Sequence, residues 1–226
     1  MVDFSSIKEI EIPEGKVKSI SSNGTILWKL DEGGLPSEYQ QVEYIESSGT
    51  QYINTNFKPT GNTKVEFEYS NYSNSVDGVM FGGYDGNWNA NSFGLYANST
   101  SSQWGYWLHY CSNTRVGSIT TLSNAKIVID KGKTYVNDNL MVSPSILSFD
   151  CPNYMYIFTG NGYSQASSQP SRYRLHYFKI WNNDSLVRDF VPCYRKSDSV
   201  IGLYDLVSQT FFINQGSGSF IKGGDV

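Results

Sequence analysis

Charge is scarce in this chain. Of its 226 residues only 17% are charged, 17 basic against 21 acidic, for a formal net charge of −4 and a pI near 5.2. A protein that grips a phosphate backbone needs a clustered basic face, so no nucleic-acid partner is expected. Cysteine is almost absent as well. Cys111, Cys151 and Cys193 are widely spaced, with no Cys-x-x-Cys pair and no neighbouring histidine pair, which gives neither a disulfide framework nor a zinc pattern. Buried free thiols acting as small apolar residues are expected, with one bridge and a leftover thiol as the alternative. No apolar run approaches the ~18 residues of a membrane span, and no basic start leads into an apolar stretch at the N-terminus. The expectation is therefore cytoplasmic synthesis without a signal peptide and no membrane insertion. A helical period is missing throughout.

What is abundant is aromatic. Aromatics make up 15% of the chain, with 17 Tyr, and 21 Gly stand among many Ser and Asn. Strand-prone rings interrupted by turn formers predict short strands and long loops. Residues 1–30 predict a separate three-stranded meander, from Ile7-Lys-Glu-Ile-Glu-Ile-Pro13, Lys16-Val-Lys-Ser-Ile20 and Thr25-Ile-Leu-Trp-Lys-Leu30, with Asn23-Gly24 as a hairpin turn. A unit this small needs a partner to be stable; the alternative is a decorated first strand pair of the main domain. Residues 31–36, with two charges, two glycines and a proline, form the linker, and residues 37–226 the main domain.

In that domain, residues 63–69 alternate with Val65, Phe67 and Tyr69 inward and Lys64, Glu66 and Glu68 outward. Val79-Met-Phe-Gly-Gly83 suits a strand buried on both faces, and residues 84–91 a loop. Strands are also expected at 42–45, 51–54, 93–97, 103–111, 126–130, 133–136, 140–142, 154–159 and 173–181. Ser47-Ser-Gly49, Lys131-Gly132 and Asn137-Asp-Asn139 supply turns. Near the C-terminus, residues 186–196, 200–207 and 210–214 read as three successive strands. Pro192 there suits a strand end or edge, and Ser208-Gln209 a two-residue loop. The whole predicts an all-β antiparallel sandwich.

Arg188-Asp-Phe-Val-Pro-Cys193, Gly202-Leu-Tyr-Asp-Leu206 and Gly216-Ser-Gly-Ser-Phe220, with Tyr44-Ile-Glu-Ser-Ser-Gly-Thr-Gln-Tyr-Ile-Asn-Thr55 upstream, resemble the ends of a LamG-like, concanavalin A-like domain. Such domains occur on tail-associated proteins of phages and prophages of gut Gram-positive bacteria. The resemblance covers residues 35–70 and 172–222 and is weak between them. It implies a two-sheet jelly roll, a place in the phage tail of a virion made in the bacterial cytoplasm, and a role in adhesion or receptor binding. It carries no catalytic or ligand residues. The N-terminal unit, with Ile12-Pro-Glu-Gly-Lys-Val17 and Ile26-Leu-Trp28, resembles short leaders of phage structural proteins, which implies attachment to other virion or tail subunits; a homo-oligomer is left open.

Catalytic constellations are weak. Glu66 and Glu68 share a strand face as glucanase carboxylates do, but ordinary alternation explains them, and Ser70 and Asn71 follow where a third acid would complete the glucanase pattern. His109 and His176 sit in aromatic strands without a Gly-x-Ser-x-Gly motif and read as satisfied structural histidines; a Cys111–His176 pairing has no local signature. Asp85-Gly-Asn-Trp-Asn-Ala-Asn91 begins like a calcium loop, yet Ala90 and Tyr96 stand where Gly and Glu are required. Calcium stays open only by analogy with related sandwiches; no cofactor is expected.

Rings set among amides are the more telling pattern. Flat rings offer apolar faces to sugar C–H groups, and amides fix hydroxyls by oriented hydrogen bonds. The candidate ligand-binding residues are Trp88, Tyr84, Asn87, Asn89 and Tyr163, with Trp104 and Trp107 as either core or ligand-facing. Carbohydrate binding at a host cell surface without enzymatic activity is the expected function. A structural virion or assembly domain is the alternative, followed by an endoglycosidase.

Overall fold

The computed structural model describes residues 11–12, 15–16, 19–22, 25–29, 34–73, 77–86, 91–98, 105–116, 121–162, 165–166 and 169–226. It divides into two compact units, Met1–Gly34 and Leu35–Val226. In the first, β1 (Glu11–Ile12) pairs with β2 (Gly15–Lys16), and β3 (Ser19–Ser22) with β4 (Thr25–Lys29). The expected three-stranded meander is thus two separate ribbons among the described residues. The run 16–20 is divided because Lys16 returns to Glu11 while Ser19 pairs forward with Lys29.

The second unit is all-β, with no helix among the described residues. Its strands are β5 (Tyr39–Gln41), β6 (Ile45–Glu46), β7 (Ile53–Asn54), β8 (Thr63–Ser70), β9 (Gly78–Tyr84), β10 (Phe93–Ala97), β11 (Tyr106–Tyr110), β12 (Ser112–Val116), β13 (Ala125–Asp130), β14 (Lys133–Val136), β15 (Asn139–Val142), β16 (Tyr156–Ile157), β17 (Gly160–Gly162), β18 (Gln165–Ala166), β19 (Arg174–Asn182), β20 (Ser185–Arg195), β21 (Ile201–Asp205), β22 (Thr210–Ile213) and β23 (Ile221–Lys222). Two sheets pack as a β-sandwich. The larger runs β15-β14-β13-β8-β19-β20-β21-β22, with β5, β6 and β23 attached; the smaller runs β12-β11-β10-β9-β16-β7, with β17 and β18 attached. All these pairs are antiparallel except β17 against β9.

Alternation builds the core. On β8, Val65, Phe67 and Tyr69 are buried while Lys64 and Glu66 are half-buried and Glu68 exposed. Phe67 meets Phe81 of the opposite sheet at 5.3 Å between ring centroids, and Phe178 of β19 at 5.4 Å. Burial of each such ring contributes about 1.5–3 kcal/mol. β9 is buried on both faces from Gly78 to Gly83, as its unbroken apolar run requires. Lys131-Gly132 and Asn137-Asp138 turn the β13–β14 and β14–β15 hairpins with positive φ at both central residues, and Asn183-Asp184 turns β19 into β20 the same way. These are the backbone twists that two-residue hairpins favour.

Four local expectations are corrected. Segments 42–45 and 51–54 are not paired with each other: β6 joins the larger sheet and β7 the smaller, so Ser47–Gly49 crosses between layers. The buried Gln51 side chain holds that crossing, accepting from Ser47 Oγ and Ser48 N and donating to Ser217 O. The strand expected at 154–159 is confined to Tyr156–Ile157, because Phe158 adopts φ 73° and turns the chain. The link between β21 and β22 spans residues 206–209 rather than two, since Asp205 pairs with Thr210. Pro192 is interior to β20. Arg195 N donates to Val200 O and Leu206 N to Asp189 O, so the odd-numbered residues of β20 bond to β21 and the donorless Pro192 nitrogen faces away from it. On that side the Pro192 carbonyl accepts from Val42 N.

Candidate functional site

On β9, β10 and β11 the core side chains include Phe81, Phe93, Leu95, Tyr106, Leu108 and Tyr110. Pleating therefore turns Gly82, Gly94, Tyr96, Trp107 and His109 to the outer face of the smaller sheet. Trp107 is half-buried on that face, whereas its neighbour Tyr106 is core. The register sets Gly82 opposite Gly94, Gly94 opposite His109, and Tyr96 opposite Trp107. Tyr156 stands opposite Gly82 on the other side, and Asn54 opposite Tyr156. Gly94 is demanded by the bulge at Leu95/Tyr96: a Cβ there would stand 2.5 Å from the Phe81 carbonyl oxygen.

Tyr84 ends β9 on this same face. Its ring lies against Gly162, where a Cβ would fall 2.1 Å from Cε2, so only glycine admits the contact. Asn153 Nδ2 donates to the Tyr84 carbonyl at 2.8 Å, and the buried Asn161 donates through Nδ2 to the Tyr154 carbonyl at 2.9 Å. These bonds lay residues 153–154 along the end of β9. Of the expected ligand-binding set the structure places Tyr84; Trp88, Asn87, Asn89 and Tyr163 lie outside the described residues, as does Trp104. At the expected calcium loop, Asn91 Nδ2 donates to Asp85 Oδ2 at 3.3 Å. Among the described residues no group of three or more His, Cys, Asp or Glu side chains converges to hold a metal.

A strip of rings runs from there along the β7–β16 edge. Met155 and Ile157 enter the core, which turns Tyr154 and Tyr156 outward. Tyr52 stacks on Tyr156 with centroids 4.9 Å apart and planes 23° from parallel. Tyr154 is 42% exposed, and Lys58 Nζ stands 5.3 Å from its ring centroid. Burial, with Tyr52 as a lesser cause, raises the Tyr156 phenol above its ordinary value, so it stays neutral as donor and acceptor. The sequence carried a signal for this strip, the i, i+2 spacing of Tyr154 and Tyr156. Its juxtaposition with Tyr52 and Lys58 needed the β7–β16 register.

The other titratable candidates are engaged. Glu66 accepts from the Tyr177 hydroxyl at 3.1 Å and sits between Val128 and Lys179 on neighbouring strands. His176 falls at the β19 bulge, with Nδ1 3.0 Å from the Glu43 carbonyl and Nε2 2.8 Å from Ser70 Oγ. The Nδ1–H tautomer makes Nε2 the acceptor of the serine proton, a nucleophile–base arrangement that sequence reasoning missed because the two residues are far apart in the chain. Acyl chemistry also needs paired backbone donors for the oxyanion. The amides after Ser70 are committed: Asn71 N to Asn124 Oδ1, Tyr72 N to Ser123 O and Ser73 N to Arg172 O. His109 is buried, edge-on to Tyr96. All three cysteines are free thiols, Cys151 and Cys193 buried and Cys111 half-buried. Burial pushes Cys151 up to about 11 and Cys193 up to about 12.

Comparison of the chain with family models, curated proteins and solved structures returns no match.

Proposed function

We propose that the chain is a non-enzymatic adhesion protein of the phage-tail type, in which a concanavalin A-like jelly roll binds carbohydrate on a host cell surface and the N-terminal unit engages other virion subunits. The observation that carries the carbohydrate reading is the set of partly exposed tyrosines, Tyr52, Tyr84 and Tyr154, beside Asn54 and Asn153 along the smaller sheet. Rings that stack on sugar C–H faces, next to amides that bond hydroxyls, are the recognition chemistry of a polyol. The tail assignment and the jelly-roll topology rest on the motif resemblance. Two features support a non-enzymatic role: the committed amides after Ser70, and the place of Glu66 in an ordinary polar strand face. A glycan array probed with the full chain tests the reading. Saturable binding to a restricted set of cell-surface glycans is expected; uniform absence of binding overturns it.

The second reading, a structural virion domain that contacts only protein, is favoured by a different place in the fold. Leu140 and Ile146 are 55% and 63% exposed at the β15 edge, and residues 139–149 contain no charged side chain. An uncharged apolar edge invites a protein partner, a further copy of the chain included. Self-association lost in Leu140→Asp and Ile146→Asp, with no glycan binding, would favour that reading.

A further inference from the structure

The tyrosine strip ends on an unmatched cation. Among the described residues, Lys126, Lys131, Lys179, Lys222, Arg174, Arg188 and Arg195 each stand within ion-pair distance of a carboxylate. Lys58 does not. It is exposed, and its contact is with the face of Tyr154, itself 42% open to solvent. A ring face compensates an exposed ammonium only partly, which leaves the charge free to pair with an arriving anion.

The placement follows from the backbone. Met155 N donates to Phe57 O and Thr55 N donates to Met155 O, so the β7–β16 ladder continues past its last strand residues toward Lys58. Tyr52, Tyr156, Tyr154 and Lys58 therefore succeed one another along one edge.

We propose that Tyr154 and Lys58 form the terminal subsite of this strip and take a sugar residue bearing a carboxylate or a phosphate. Tyr154 stacks on the sugar ring and Lys58 Nζ pairs with the acidic group, while Tyr52, backed by the buried Tyr156, meets the preceding residue. The proposal rests on the carbohydrate reading above and adds to it a preference for acidic glycans. The charge partner is a lysine, a compact point charge that does not demand the bidentate geometry an arginine would, so carboxylate and phosphate are both admitted.

The test uses the full chain and oligosaccharides in matched pairs: a uronic-acid oligomer with its carboxyl-reduced counterpart, and a phosphorylated oligomer with its dephosphorylated one. The native chain is expected to prefer the acidic member of at least one pair, and which pair tells the carboxylate from the phosphate source. Lys58→Gln is expected to reduce that preference about fivefold, as befits an exposed ion pair, with neutral-sugar binding and the melting temperature unchanged. Lys133→Gln, which removes the same charge at another exposed lysine, is expected to keep the preference. Tyr154→Ala is expected to weaken both members of a pair together. Equal binding of acidic and neutral members, or a preference that Lys58→Gln leaves intact, overturns this proposal while the carbohydrate reading stands. Absence of binding to any member at any concentration overturns both.

Discussion

Arg188 and Asp205 face each other inside the sandwich, with Nε 3.6 Å from Oδ2, and Asp205 has no solvent exposure (0%). Register puts them there: Arg188 lies opposite the core residue Ile180, and Asp205 opposite the core residue Phe190. Asp205 accepts from Asp189 N at 2.7 Å, Val207 N at 3.2 Å and Ser208 Oγ at 2.6 Å. Arg188 donates to Thr55 O at 3.1 Å and Asn56 O at 3.4 Å. The two motif-bearing ends of the domain, 44–55 and 186–191, thus meet through one guanidinium, in keeping with the tendency of domain ends to lie together.

Asp205→Ala should be among the most damaging substitutions in the domain. It leaves the Arg188 charge half-buried without its carboxylate and strips the 206–209 turn of its acceptor, for a loss of about 3–5 kcal/mol. Urea unfolding should show the fall in midpoint; a change below about 1 kcal/mol would mean that water replaces the carboxylate.

Stability should decline on the alkaline side. Burial raises the folded-state values of Cys151 and Cys193 to about 11 and about 12, from 9.0 for the exposed thiol, and raises Tyr69 and Tyr173 as well. The unfolded chain therefore loses these protons first. The stabilising contribution is complete below the unfolded values and is lost as pH rises through the folded ones. Denaturation midpoints compared at about pH 8 and about pH 11 check the sign. In the native protein at the lower pH, a thiol reagent should modify Cys111 first and reach the other two only on unfolding.

Deleting residues 1–34 should leave the thermal transition of the remaining domain within a few degrees of the full chain, while abolishing incorporation into a particle or oligomer. Insolubility of the truncated protein would refute the two-unit division.

No reducing sugar should be released from a polysaccharide panel. Release that disappears in Glu66→Gln or Glu68→Gln would overturn the non-enzymatic reading, and release lost in Ser70→Ala would place chemistry at the His176 pair.

Trp88→Ala should weaken glycan or cell binding about thirtyfold, the loss of a hot-spot ring, with little change in melting temperature. Normal binding with a much lower melting temperature would make Trp88 a packing residue. Tyr84→Ala should lose binding less sharply, because that ring is already spent partly on Gly162.

Local signals were sufficient wherever one face of a strand met the core and the other met water. The period-2 run at 63–69, the unbroken apolar run at 79–83 and the Lys131-Gly132 and Asn137-Asp138 turns all carry their conformation in a few adjacent residues, so class and sandwich architecture were legible in the sequence. Register and layer assignment were not, because they depend on partners far along the chain. Nothing near residues 45–54 says that β6 and β7 enter different sheets; the buried Gln51 side chain decides it by reaching Ser217, 166 positions away. Pro192 read as a strand end because its missing donor is a local fact, whereas the side of β20 on which that donor is not needed is a tertiary one. Likewise the i, i+2 tyrosines at 154 and 156 were visible as residues, but only the pairing of β16 with β7 sets Tyr52 on Tyr156 and Lys58 at Tyr154. Hydrophobic pattern determines what each segment becomes; long-range hydrogen bonding and packing determine which segments meet, and the tyrosine edge is made of such meetings.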